Sequence, residues 1–221
     1  MTLDQHAHFN KILNWRLGQT RDEPKERQIS YHHTREIDQF FLSQGGRARV
    51  TKDQKTNEVI PNGIVKKERI ADLDVYSPRN AFDYRISVNI EVPVPHPQGE
   101  LQHERHKDRM SYRYNNFKID LTQVKSPKKS NAPNTHAHNY SQMRPMNSNN
   151  NQDVTHELEI EFVHAEQLAR EREIRINSRG AQPDRFIEIV GLFVNNIRGL
   201  VVRGNIQQQQ HQHHQQQQRP R

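Results

Sequence analysis

Residues 155–162 alternate strictly, with Glu157, Glu159 and Glu161 on one side and Leu158, Ile160 and Phe162 on the other. That period of two predicts a strand with an acidic face and an apolar face. The same alternation recurs in 83–92, where Arg85, Ser87, Asn89 and Glu91 oppose Tyr84, Ile86, Val88, Ile90 and Val92. It recurs in 107–114, where Lys107, Arg109, Ser111 and Arg113 oppose Met110, Tyr112 and Tyr114. In 116–124 it sets Lys118, Asp120 and Thr122 against Phe117, Ile119 and Leu121. Shorter strand-like runs cover 28–33, 46–51 and 64–70, with a hairpin turn at 54–58 between the last two. In 46–51 the side chains of Arg47, Arg49 and Thr51 fall together.

Helical spacing appears at both ends. Thr2 and Gln5 fit a capping box, Asp4 suits a first turn, and Phe9, Ile12, Leu13 and Leu17 follow a helical stripe. Two further helices are predicted over 165–175 and 184–201, the second with Phe186, Val190, Phe193, Val194 and Ile197 on one side. Residues 21–27 and 92–106 read as loops, the second because it holds three prolines. An Asn/Ser/His/Pro-rich insertion at 126–152 and a Gln/His tail at 206–221 read as segments with too little apolar content to pack. The organisation expected is one domain over 1–205 followed by the tail.

Composition changes this picture in one respect. Hydrophobic residues make up only 31 % of 221 positions, so an ordinary apolar core is too small a fraction of the chain. A polar interior resolves the shortfall. The net charge of +7 suggests nucleic acid, yet +3 of it lies in 126–152 and +2 in 206–221, which leaves a body at +2 with its charge segregated by strand. Cysteine is absent, which excludes thiolate metal sites and cysteine nucleophiles. No apolar run reaches membrane-spanning length and the N-terminus lacks a signal-type apolar stretch, so no membrane association is expected.

A purely acidic strand repels itself unless cations sit against it. One solvated sheet face accounts for such a strand taken alone. Several strands charged this way, mostly with the opposite sign, point instead to a sheet closed with its charges inward. The glutamates can then hold Mg2+ or Mn2+, which prefer oxygen ligands, and the cations can hold the oxygens of a polyphosphate.

The motifs H-E-L-E-I-E-F, K-D-R-M-S-Y, F-K-I-D-L-T-Q-V, Y-R-I-S-V-N-I-E-V-P-V-P and G-G-R-A-R-V-T-K-D-Q-K-T-N resemble those of the fungal mRNA 5′-triphosphatases, which are triphosphate tunnel metalloenzymes. The resemblance runs from near Met1 to about Phe162. It implies a mainly β (α+β) fold: an antiparallel eight-stranded tunnel with a charged interior and flanking helices. It implies removal of the terminal phosphate from 5′-triphosphate RNA in mRNA capping, in the nucleus. Glu157, Glu159 and Glu161 fall on metal-site glutamates, with Mg2+ or Mn2+ as cofactor and Glu161 expected to matter most. Lys107 and Arg109 fall on a phosphate-binding pair, Arg49 on a tunnel arginine, and Lys66, or else Lys67, on a tunnel lysine. Arg85 stands on a basic position, Asp120 and Thr122 on an acidic and a hydroxyl position, and Glu91 on a glutamate suited to orient the attacking water.

One departure stands out. The family's tunnel begins with a strand carrying an E-x-E pair opposite the glutamate triad, and this chain enters its first helix at once. The E-x-E of Glu171 and Glu173 lies in a predicted helix instead. A truncated tunnel with a missing first strand and impaired activity is therefore expected, also lacking the segment that docks on the mRNA guanylyltransferase. Homodimers are the family's habit. Two other functions remain open: a non-catalytic module that binds RNA ends or polyphosphate, and a tunnel hydrolase of inorganic polyphosphate or nucleotides.

Overall fold

The computed structural model describes residues 1–43, 46–127, 152–178 and 184–205. Seven strands are present among them: β1 (Ser30–Ser43), β2 (Gly46–Asp53), β3 (Val59–Val75), β4 (Tyr84–Pro93), β5 (Glu100–Tyr114), β6 (Phe117–Pro127) and β7 (Gln152–Phe162). They form one antiparallel sheet in the order β4-β3-β2-β1-β5-β6-β7. The chain winds outward from β1 to β4, then returns to pair β5 with the free side of β1. Two residues at positive φ make the turns: Asn57 after β2 and Asn115 between β5 and β6. The Asp53 carboxylate accepts the amides of Lys55 and Thr56 and closes the first of these turns.

Three strands are much longer than the alternation predicts. β1 extends ten residues past His33, and β5 begins at Glu100, inside the stretch read as a loop. β3 likewise runs from Val59 to Val75. A bulge separates the Val50 and Lys52 pairings of β2 with β3. Gly63 sits at that bulge, where a Cβ would lie 2.7 Å from the Thr51 carbonyl oxygen. Only glycine fits there.

The convex face carries the helices. α1 (Leu3–Gln19) starts on the expected capping box, with Gln5 N–H donating to Thr2 Oγ1 and Gln5 returning the bond to Thr2 N. It buries Phe9 and Leu13. The Tyr112 hydroxyl donates to Asn14 on α1, and burial pushes its pKa up to about 12, so it stays a neutral donor. α2 (Ala165–Asn177) and α3 (Arg185–Arg203) follow β7. Glu171 and Glu173 thus lie on a helix, as their spacing suggests. Phe193 of α3 stacks on Phe162 at 4.4 Å and leans on Phe117, and Ile197 and Val201 are buried beneath it. The C-terminal end of α3 reaches α1 and residue Phe82 ahead of β4: a Cβ on Gly204 would lie 1.9 Å from the Phe82 ring. Among the described residues no helix is long and apolar enough to cross a membrane.

The sheet curls strongly. β4 and β7 are its two edges, yet both line one cleft of about 570 Å³, with Arg85, Ser87 and Asn89 from one side and Glu159 and Glu161 from the other. The result is a seven-stranded half-barrel with three helices, mainly β. Closure by an eighth strand is not seen among the described residues. The insertion predicted at 126–152 lies outside them over 128–151, and its ends at Ser126, Pro127 and Gln152 belong to strands β6 and β7. The tail 206–221 lies wholly outside them.

Candidate active site

Side chains opposite one another in an antiparallel pair share a face, so the register fixes which charges meet. Arg109 pairs with Thr34 on β1 and Thr122 on β6; Asp120 pairs with Ser111 and Glu159. Lys118 and Thr122 lie opposite Glu161 and Glu157. On the other flank Asp38 faces Thr51, and Phe40 faces Arg49. Val65 is opposite Arg49, and its face-mate Lys67 is opposite Glu91. Every charged strand face expected from the sequence therefore belongs to one continuous concave surface.

Placement distinguishes the two candidate lysines. Lys66 pairs with Ala48 on the other side of the sheet and its ammonium lies 3.1 Å from Glu68. Lys67 is the tunnel-facing residue, 3.9 Å from Glu91. Side-chain direction alternates, so of the two candidates Lys67 shares the face of Arg49 and Lys66 lies on the opposite one.

The floor of the trough is charged and buried. Asp38 is 1 % exposed, Asp120 1 %, Thr122 0 % and Lys107 7 %. Lys107 forms an ion pair with Asp38, and Thr51 Oγ1 donates to Asp38 at 2.8 Å. Burial alone would raise the Asp38 pKa, but the Lys107 charge and the hydrogen bonds from Lys107 and Thr51 outweigh it and hold the carboxyl below its usual value. Asp120 is saturated: Lys118 lies at 3.0 Å, Arg109 at 3.8 Å, and Ser111 Oγ donates at 2.7 Å. Arg109 Nε also donates to Thr122 Oγ1 at 3.4 Å, and its guanidinium lies 3.8 Å from Glu36. Burial works against the Arg109 charge, yet Asp120, Glu36, Glu159 and Glu161 together raise its pKa. Asp120 and Thr122 thus support Arg109 from beneath, while Asp38 holds Lys107.

The walls differ. Arg49 donates to Glu91 at 3.1 Å, while its Nε is buried without a hydrogen-bond acceptor among the described residues. A buried donor of that kind is costly unless an acceptor arrives, which suits an incoming phosphate oxygen. Arg85 is taken up by a bidentate pair with Asp74, at 2.6 and 2.9 Å, near the start of β4. It lines the cleft but is not gathered with Arg49, Lys107 and Arg109. On β7, Glu157 accepts from Arg105 at 2.5 Å and Glu161 meets Lys118 at 3.0 Å. Glu159, between them, makes no ion pair within 4.0 Å among the described residues. It opens to the water of the cleft while protein rings it. That surrounding protein, then the Glu161 charge, push its pKa up, with Arg109 pulling the other way and Glu157 adding to the rise.

The donor chemistry of this strand fits a hard divalent cation: three carboxylates, one of them without a cation and disfavoured as an anion. The set is partial, because among the described residues no group of three His, Asp or Glu side chains converges closely enough to hold a metal ion. Residues at i and i+2 on one strand stand roughly 7 Å apart, too far for all three carboxylates to share one ion. Functional neighbours missed by the sequence reading are Asp38, Glu36, Arg105 and the pairing role of Lys118. The alternation Thr34, Glu36, Asp38 carries the signal for two of them, just beyond the strand-like run 28–33.

Comparison with known proteins agrees with this geometry. The family described as "mRNA capping enzyme, beta chain" matches residues 1–205. The mRNA-capping enzyme subunit beta of Schizosaccharomyces pombe is 32 % identical over 203 residues, covering 90 % of this chain and 59 % of that protein. Its Cryptococcus neoformans counterpart is 32 % identical over 199 residues, covering 89 % of this chain and 44 % of that protein. The chain thus spans only about half the length of these relatives. The structure of the S. pombe Pct1 RNA triphosphatase superposes with a TM-score of 0.73 at 30 % identity, covering 92 % of this chain and 69 % of that one. A second structure holds Pct1 in complex with the Spt5 CTD, with a TM-score of 0.73 at 29 % identity. With a match over nearly its whole described length, the chain belongs to the mRNA capping enzyme beta-chain family of RNA triphosphatases.

Proposed function

We propose that the trough binds the 5′-triphosphate end of RNA and removes its terminal phosphate. The observation that carries this reading is the single concave face on which Arg49, Lys67, Lys107 and Arg109 stand across from the β7 glutamates. A triphosphate with a cation supplies charge to both walls at once. Arg109 and Lys107 are pre-positioned by buried acids, so they can meet the non-bridging oxygens without reorganising. Arg49 offers its buried Nε to another oxygen. Water attacks the γ-phosphorus in line; the new P–O bond forms as the bond to the β–γ bridging oxygen breaks, leaving phosphate and a 5′-diphosphate end. Glu91, fixed by Arg49 and Lys67, is placed to orient that water. Mg2+ or Mn2+ held through Glu159 and its neighbours would supply Lewis-acid polarisation of the γ-phosphoryl group.

Edges left unpaired among the described residues and a partial carboxylate set favour a second reading, in which these residues bind RNA ends or polyphosphate without hydrolysing them. The Met1 ammonium donates to the His156 carbonyl on the β7 edge and lines the cleft. Any chain joined ahead of Met1 would therefore leave beside the gap between β7 and β4, where a strand bearing carboxylates would complete the tunnel. Function in the nucleus beside a guanylyltransferase, homodimerisation, and docking on a partner such as the Spt5 CTD belong to this same proposal.

The decisive assay is γ-phosphate release from 5′-triphosphate RNA with Mg2+ or Mn2+. Metal-dependent release is expected, and at least about 100-fold faster when a carboxylate-bearing strand is added in the gap between β7 and β4, as several kcal/mol of added metal ligation implies. Absence of release from both forms would leave the binding reading. Glu159→Gln should abolish Mn2+ binding by calorimetry. Because the Glu159 pKa is raised, protons compete from a higher pH than at an ordinary carboxylate. Wild-type affinity should then fall on acidification before the usual glutamate range is reached. Unchanged binding in Glu159→Gln would remove the carboxylate from the metal site.

A further inference from the structure

At one mouth of the trough, where β1 ends, β2 begins and β5 begins, three planar side chains meet. Phe40 and His103 are cross-strand partners, with ring centroids 4.4 Å apart and planes 11° from parallel. The Arg47 guanidinium carbon lies 4.4 Å from the Phe40 ring centroid, and Arg47 Nη2 donates to His103 Nε2 at 2.7 Å. The β1–β5 register shifts between Phe40 and Phe41, so β5 inserts Gln102 as an extra residue beside the stack. Bulges at barrel rims re-aim neighbouring side chains, and this one adjoins the group. On its other side Phe40 is paired with Arg49, a phosphate-binding candidate.

We propose that Arg47, held over Phe40 and hydrogen-bonded to His103, stacks against the first base of the bound RNA. The inference rests on the triphosphatase reading and adds how RNA is told from a bare polyphosphate. Arg47 is the exposed member of this group. A cation needed only for charge would gain little from being immobilised on an aromatic ring. A guanidinium seated over one ring and hydrogen-bonded to another is fixed in orientation, and unpaired RNA bases are recognised by stacking on aromatic and guanidinium planes. The first base follows directly behind the triphosphate, so it must settle beside the phosphate cations, and Arg49 stands next to this stack. Every base has a π-face, so the preference expected is for a base over none, with little choice among the four.

The test compares three ligands on wild type, Arg47→Lys and Phe40→Leu, with binding measured by fluorescence anisotropy and competition in Mg2+. The ligands are RNA carrying a β,γ-imido 5′-triphosphate, the same RNA with an abasic first residue, and inorganic tripolyphosphate. Arg47→Lys keeps the charge and loses the plane. It should weaken the intact RNA roughly tenfold, the scale of one stacked base, and leave the other two ligands unchanged. Phe40→Leu should show the same pattern, and its unchanged tripolyphosphate affinity reports an intact fold. Equal losses for all three ligands would make Arg47 a phosphate cation and overturn the stack, as would no loss for any. Failure of wild type to bind either RNA or tripolyphosphate would overturn the triphosphatase reading itself, and the stack with it.

Discussion

Alanine at Asp38 should cost the fold about 3 to 5 kcal/mol, the usual cost of breaking a buried ion pair by removing one partner. Asp38 is 1 % exposed and holds Lys107, which is itself 7 % exposed. Without it the ammonium is left buried beside the Thr51 hydroxyl, its ion-pair partner gone and only the more distant Glu36, opposite it on β1, to offset its desolvation. A domain with ordinary marginal stability has little to spare for that loss. Urea titration should show a large drop in midpoint. The pH dependence follows from the depressed Asp38 pKa. A group whose folded pKa lies below its unfolded value stabilises fully above the unfolded value, and the contribution is lost as pH falls through the folded one. Wild type should therefore lose more stability in acid than Asp38→Ala, and the two curves should converge at low pH. Parallel curves would mean that the pair contributes no linkage.

The second large effect is expected at Arg109. Arg109→Ala should lower γ-phosphate release by about 100- to 1,000-fold, the scale of removing one preorganised donor from a charge-stabilising site. Four surfaces orient this guanidinium: Thr122 by a hydrogen bond, Asp120 and Glu36 at 3.8 Å, and the electrostatic pull of the β7 glutamates. Such a group meets developing phosphoryl charge without moving. Its removal should be felt in turnover more than in melting temperature, because Asp120 keeps Lys118 and Ser111 as partners. A variant that melts as wild type does and turns over as wild type does would take Arg109 out of the phosphate site.

Much of the site was legible because alternation fixes which residues share a strand face, and four strands alternate cleanly. The acidic wall of β7 and the basic row of β5 needed only that rule. What the rule could not supply was register. Lys66 and Lys67 differ by one residue, and the bulge near Gly63 decides which of them faces Arg49. A slip of one exchanges the faces of a strand, and no local pattern announces it. The length of β1 was hidden for another reason. In 34–43 the alternation Thr34, Glu36, Asp38 runs into the apolar triplet Phe40, Phe41 and Leu42, which matches neither period. The start of β5 was hidden by Pro93, Pro95 and Pro97 just ahead of it and by a His- and Glu-rich run whose charges face both ways. Asp38 and Glu36 were missed together for that reason: a buried carboxylate looks like a surface one until its partner strand is known. The seven-stranded half-barrel was predictable in kind, from charged faces too numerous for one solvated sheet. Its curl became visible only when both edges were found lining the same cleft.

The most direct test locates the phosphates. Tripolyphosphate with Mn2+ should be diffused into crystals of the protein and its position determined. The account predicts phosphate oxygens within hydrogen-bonding reach of Arg49, Lys107 and Arg109 on the concave face, with the cation beside Glu159. Tripolyphosphate bound on the convex face, or along the surface lysines with the trough left empty, would contradict it.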